Sequence, residues 1–337
     1  MKLNLILFIL VLAVLWFILF TLRRELKKFD ITPLLQTNQT FFASRFHHIY
    51  STFKMGFIFY LGSFCRLSSA EKKIKQNIPL FFQGFAYEGL AMSYAARLSI
   101  TTRKPTCLPE KQFQSADRFL YQLYVGIGWW IHTLHAYKQK PFDKWRNRIP
   151  SKYFPIVYDG VGFKTGIFNY TSPTDICAKF SSFREPEQRV CFQGLGRSIW
   201  FLCHFNFQKA CTIIHEFPAN HRRDIYSGLG IACSYSLFDD LKICLNLIPL
   251  IDEENRTAFI QGVSFGLYAR FKNDKNHWEQ VVNSSNSFAM ISHWMQMIER
   301  AHENCDLVNP ENFYYAWIDE VRKRISIHTK QSEVTTL

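Results

Sequence analysis

Three side chains carry most of the chemistry this sequence offers: Glu88, Asp159 and Arg197. Glu88 lies between Ala86 and Gly89 on an otherwise apolar helical stretch, where a carboxylate is semi-buried and needs a partner. Arg197 is the cation at the equivalent face of a later helix. If these groups converge, Glu88 or Asp159 would act as acid or base while Arg197 holds an anionic group. The remaining constellations are thinner. His132 and His135 are three apart, without the glutamate of a zinc-protease helix. Cys211 and His215 have the spacing of a nucleophile pair, yet Ile213, Ile214 and Phe217 place that stripe in a core. Asp239 and Asp240 have no second acidic cluster beside them and read as a turn. Neither a metal nor a cofactor is expected, and no catalytic set is identifiable from the residues alone.

The elements that must position these groups announce themselves through glycine. Gly126, Gly160, Gly194, Gly228 and Gly262 follow one another at a constant interval of 34 residues, and a period in this range marks stacked repeats. Two residues before each stands Tyr124, Tyr158, Phe192, Tyr226 or Ile260, and two after it stands Gly128, Gly162, Gly196, Gly230 or Ser264. Gly84, between Phe82 and Ala86, fits as a sixth copy 42 residues ahead of Gly126. Small residues recurring this way let helix backbones approach. A dinucleotide loop would need a preceding strand, a third glycine and a downstream acid, which are missing.

Each unit reads as a helical hairpin. Ile199, Trp200 and Leu202 continue a first helix, Asn206 marks a turn, and Ala210, Ile213, Ile214 and Phe217 form a second stripe ending at Pro218. After Gly228 the same order recurs, with a turn at Phe238, Asp239 and Asp240 and a second stripe from Leu241 to Ile248. The expected fold is all-α, an αα-hairpin solenoid of about six 34-residue repeats over residues 36–325. Its concave face would carry the residue before each glycine and the one four later. Those pairs are Gln83 with Tyr87, Val125 with Trp129, Asp159 with Phe163, Gln193 with Arg197, Ser227 with Ile231 and Gln261 with Phe265, with Glu88 next to the column. Mixed polar and aromatic columns suit a binding groove.

From Leu3 to Leu22 only Asn4 and Thr21 are polar, a run of about 20 residues, enough to span a bilayer. Arg23, Arg24, Lys27 and Lys28 follow it and make residues 23–35 a basic juxtamembrane linker. The positive-inside rule then assigns residues 1–22 to a single-pass membrane anchor and 23–337 to the cytoplasm, with a disordered tail at 326–337. The net charge of +13 favours an anionic membrane surface. Its dispersed basic residues and the lack of a recognised motif argue against nucleic acid. Nine cysteines, with no C-x-x-C pair, sit mostly in apolar stripes and agree with a reducing compartment.

Four blocks carry a resemblance: Gly84-Phe85-Ala86-Tyr87-Glu88-Gly89, Tyr158-Asp159-Gly160-Val161-Gly162-Phe163, Gln193-Gly194-Leu195-Gly196-Arg197-Ser198-Ile199-Trp200-Phe201 and Tyr226-Ser227-Gly228-Leu229-Gly230. With the spacing of Phe217-Pro218 and Arg222-Arg223-Asp224, they resemble the UnbL-like family of the enediyne biosynthesis cassette over residues 40 to 320. The resemblance implies an accessory component of polyketide assembly and assigns no catalytic residue. The expected role is to bind an apolar small molecule or a biosynthetic protein partner. The alternative is an enzyme working on a polyketide or lipid-like intermediate by acid/base chemistry.

Overall fold

A computed structural model of the chain describes residues 30–100, 109–285, 287–309 and 311–335. Among these the structure is all-α, without a strand. The expected span at residues 1–22 lies outside the described residues; among those described, no helix is long and apolar enough to cross a membrane. Among the described residues nine long helices carry the architecture: α1 (Thr40–Leu61), α2 (Leu80–Ile100), α3 (Ala116–His135), α4 (Ile156–Asn169), α5 (Glu185–Leu202), α6 (Ala219–Ser236), α7 (Glu253–Asn273), α8 (Phe288–Val308) and α9 (Phe313–Thr335). The last runs over most of the stretch expected to be a disordered tail, and a helical turn at Thr32–Leu35 falls within the expected linker.

Short helices join the long ones, and several begin on a side-chain cap. Ser172 Oγ accepts the Asp175 amide at 3.2 Å, Asn206 Oδ1 the Lys209 amide at 3.0 Å and Asp274 Oδ1 the His277 amide at 3.2 Å. Ahead of α3, the buried Glu71 carboxylate accepts the amides of Gln114 (3.1 Å) and Ser115 (3.0 Å) and offsets the positive end of that helix. One expected second helix is broken. Between α6 and α7 the chain makes 3-10 turns at Phe238–Asp240 and Ile248–Leu250 around a helix of five residues, Leu241–Leu245. Pro249 lacks the amide a longer helix would require.

Helices α1 to α7 pack in chain order, each against the next, and the glycines explain how closely. A Cβ placed on Gly160 would fall against the Val125 carbonyl, on Gly194 against that of Asp159, on Gly228 against that of Gln193, and on Gly262 against that of Ser227. In every case the neighbouring helix presents the residue just before its own glycine. The second glycines meet the following helix in the same fashion, Gly128 at Val157, Gly162 at Cys191 and Gly196 at Ile225. No glycine has a positive φ; left-handed backbone falls instead on Phe64, Cys65, Ala136, His204 and Phe205 at helix ends. These glycines therefore serve contact rather than turning.

The same contacts correct the register of α2. A Cβ on Gly126 would strike the Glu88 carbonyl and one on Gly89 the Phe53 carbonyl, whereas one on Gly84 would strike the Tyr235 side chain. Tyr87-Glu88-Gly89-Leu90-Ala91 fits the repeat pattern as well as Phe82-Gln83-Gly84-Phe85-Ala86 does, and backbone packing selects the former. Gly84 is therefore not the repeat glycine of its helix, and Glu88 stands in the polar column rather than beside it.

The row curls until α7 packs against α3. Arg45 of α1 reaches Asp239 beyond α6 at 2.6 Å, and Phe46 of α1 meets Phe201 of α5 with ring centroids 5.2 Å apart. Helices α8 and α9 pair with each other and lie on α7, closing the interior from one side.

Candidate functional site

The column one residue before each repeat glycine turns inward and becomes a hydrogen-bonded ladder. Gln193 Nε2 donates to Asp159 Oδ2 at 3.2 Å; Ser227 Oγ donates to Gln193 Oε1 at 3.4 Å and to Gln261 Oε1 at 2.8 Å. Each rung joins residues 34 apart, because glycine contact draws adjacent helices close enough for these short side chains to meet. Helix α9 ends the ladder: Gln193 Nε2 also donates to Tyr314 Oη at 2.9 Å, and Arg322 Nε donates to Gln261 Oε1 at 3.1 Å.

Arg197, one turn beyond Gln193 on α5, donates through Nη1 to Asp159 Oδ1 and through Nη2 to Glu88 Oε1 at 3.3 Å. Glu88, Asp159, Gln193 and Arg197 are all buried. Glu88 and Arg197 are 109 positions apart in sequence, so the curl of the row alone brings them together. Burial pushes the Glu88 carboxyl up to about 7; Arg197 opposes that rise and Asp159 adds to it. Burial disfavours charge on Arg197, but Asp159 and Glu88 outweigh it and raise its pKa. Both Nη atoms of Arg197 are engaged by carboxylates, so the guanidinium expected to hold an anionic group is already committed.

Two pockets flank this ion cluster. The larger, about 70 Å³, is bounded by Glu88, Gln122, Asp159, Gln193 and Arg197 and walled by Tyr121, Phe265, Tyr268, Tyr314 and Trp317. It has room for on the order of five waters. The smaller, about 30 Å³, lies among Phe46, Phe53, Trp129, Phe163, Phe168 and Phe201. Glu88, Arg197 and Tyr235 border both, so the cluster is the partition between a mixed chamber and an aromatic one. The Arg197 guanidinium lies over Phe163 at 4.9 Å, and Trp129 packs against Phe53 and Phe163 at 4.7 and 5.5 Å between centroids.

Of the residues expected to line a groove, Glu88, Trp129, Asp159, Phe163, Gln193 and Arg197 border this interior. Gln83 and Tyr87 are not part of it: Gln83 Nε2 donates to the Ile78 carbonyl at 3.0 Å, and Tyr87 stacks on Phe119 and donates to Ser115 Oγ at 2.9 Å. Gln261 belongs to the ladder without bordering either cavity. Several lining residues had no sequence signal. Tyr314 and Trp317 come from α9, outside the repeat; Tyr235 and Gln122 sit a turn or two from the glycine positions, and Gln122 Nε2 donates to Tyr235 Oη at 2.9 Å. Among the described residues no group of His, Cys, Asp and Glu is arranged to hold a metal. His215 turns to Asp252 at 2.9 Å instead of pairing with Cys211. His132 is buried with its ring against Tyr137, and burial with the nearby Lys164 holds its pKa well below the usual value.

A family model described as "Protein of unknown function (DUF1702)" matches residues 18–325. No curated protein and no solved structure matches the chain.

Proposed function

We propose, for a chain that belongs to this family of proteins of unknown function, that it binds a largely apolar small molecule inside its curled helical row. The observation that carries the reading is the pair of cavities meeting at Glu88, Arg197 and Tyr235. A ligand with one polar group and apolar flanks would set that group on the partition and its flanks among the rings on either side, the usual composition of a small-molecule site. In this reading α1 to α7 form an αα-hairpin solenoid, and the apolar run from Leu3 to Leu22 is a membrane anchor that keeps residues 23–337 on the cytoplasmic side, beside the bilayer through which apolar molecules partition. The blocks around Glu88, Asp159, Arg197 and Gly228 resemble the UnbL-like family, which makes a polyketide intermediate of enediyne type the ligand class of choice and a synthase the protein partner of choice.

The test is mass spectrometry and absorption spectroscopy of the organic extract of natively purified full-length protein. A conjugated or fatty molecule near one equivalent supports the reading. A copurified polypeptide with an empty interior moves the role to scaffolding, and an interior that neither carries nor takes up an apolar molecule refutes the binding reading.

One observation favours a second reading, in which the protein modifies the bound molecule. A carboxyl whose pKa stands at about 7 exchanges a proton at neutral pH, and Glu88 borders both cavities. Undiminished turnover of an identified substrate by Glu88→Gln would remove Glu88 from that role.

A further inference from the structure

We infer that the polar group received by the larger chamber is a monovalent organic cation, an alkylammonium head seated between Glu88, Asp159 and Gln122; this rests on the ligand-binding reading above. Charge is the first argument. Two carboxylates face one guanidinium, that of Arg197. Of the other buried arginines, Arg270 donates to the carbonyls of Phe81 and Tyr235 and lies 4.0 Å over the Tyr235 ring, Arg322 pairs with Asp224, and neither borders the chamber. With Glu88 and Asp159 both ionised the chamber is one positive charge short, and a buried surplus charge is neutralised by a proton or by a counter-ion.

The second argument is an acceptor with nothing to accept. Gln122 borders the chamber at 4% exposure, and its Oε1 makes no hydrogen bond while Nε2 is used by Tyr235. An ammonium N–H satisfies that oxygen, whereas a carboxylate ligand would find an unpaired acceptor and an arginine already engaged. The third argument is the wall. The rings of Tyr121, Tyr268 and Trp317 lie 6.0 to 6.4 Å from one another between centroids, and aromatic rings grouped in this way favour cations.

A proton competes for the same vacancy. The groups facing Glu88 are Arg197, Asp159 and the Tyr235 phenol, which burial keeps neutral. Ammonium binding therefore displaces the proton at low pH, and the ligand gains affinity as pH rises to about 7.

The experiment is calorimetric titration of the full-length protein with short n-alkylammonium ions and with alcohols and carboxylates of the same chain length, above and below neutrality. At about pH 8 the ammonium ion is expected to bind about tenfold or more tighter than the alcohol, with its affinity falling about tenfold per pH unit below 7. Glu88→Gln is expected to keep alcohol binding and lose both the preference and the pH dependence. Gln122→Met, which keeps the carboxylates, is expected to weaken the ammonium ion several-fold and leave the alcohol unchanged, so the test survives if the first variant does not fold. An alcohol or carboxylate that binds as tightly as the ammonium ion overturns the cation and leaves the ligand-binding reading standing. If none of the three classes binds, both fall together.

Discussion

Replacing Gly194 by alanine probes the contact on which the whole interior depends. The new Cβ would stand 2.7 Å from the Asp159 carbonyl carbon and 2.8 Å from the Phe163 amide nitrogen, with the Asp159 oxygen closer still. Ordinary separations of such atoms are about 3.5–4.0 Å, so α4 and α5 must part by about 1 Å, enough to forfeit a quarter to a half of each dispersion contact along the seam. Overpacking of this kind costs about 1–3 kcal/mol. The same displacement lengthens the buried bonds from Gln193 and Arg197 to Asp159, which are worth about 1 kcal/mol or more each. Alanine's better helix propensity offsets about 1 kcal/mol. The net loss is about 2–4 kcal/mol, and at roughly 2–4 °C per kcal/mol the thermal midpoint should fall by about 4–16 °C. Scanning calorimetry of the purified full-length protein reads this directly. Gly62→Ala is the internal control: its Cβ would lie 3.3 Å from the Ile58 carbonyl in ordinary helical backbone, and its midpoint should stay within about 2 °C of wild type. A Gly194→Ala midpoint as close to wild type as that of the control would refute the backbone contact.

Two further outcomes follow from the buried groups. Glu88 has a folded pKa raised from 4.5 to about 7, so the folded state holds its proton more tightly than the unfolded chain, and stability present at low pH is lost as pH rises between those values. Glu88→Gln keeps a neutral side chain throughout, and its stability relative to wild type should therefore improve by about 3 kcal/mol from pH 5 to pH 8; parallel denaturation profiles across that range would contradict the buried carboxyl. The thiols of Cys191, Cys203, Cys233 and Cys244 are buried, and burial pushes Cys203 up to about 12 and Cys191 and Cys233 well above the usual value. Alkylation at mildly alkaline pH followed by peptide mass spectrometry should modify these four only after denaturant is added, because the reagent does not reach a buried thiol; rapid native labelling of Cys191 would place its helix at an open surface.

The all-α class was legible in the sequence because its cause is local and periodic. A helix that packs backbone against backbone on both neighbours needs a small residue at fixed places on each turn, and five glycines 34 apart record that need whatever the surrounding side chains are. The turn at Asn206 and the stop at Pro218 were legible for the same reason, since caps and proline act within a few residues. Register in α2 was not. Gly84 and Gly89 satisfy one pattern equally well in a single helix, and only the neighbouring carbonyls of Phe53 and Glu88 distinguish them.

The sequence by itself determined that Asp159, Gln193, Ser227 and Gln261 stand in one column with Phe163, Arg197, Ile231 and Phe265 a turn away. Tertiary structure alone decided that Glu88 rather than Gln83 joins the column, that Glu88 and Asp159 share Arg197, and that Tyr314 and Trp317 from α9 complete the wall of the larger pocket. The difference is physical. Helix periodicity and glycine contact act between nearest neighbours in the row, whereas the meeting of Glu88 with Arg197, 109 residues away, depends on the accumulated curl of four helices, to which every interface contributes a small angle that no single residue encodes.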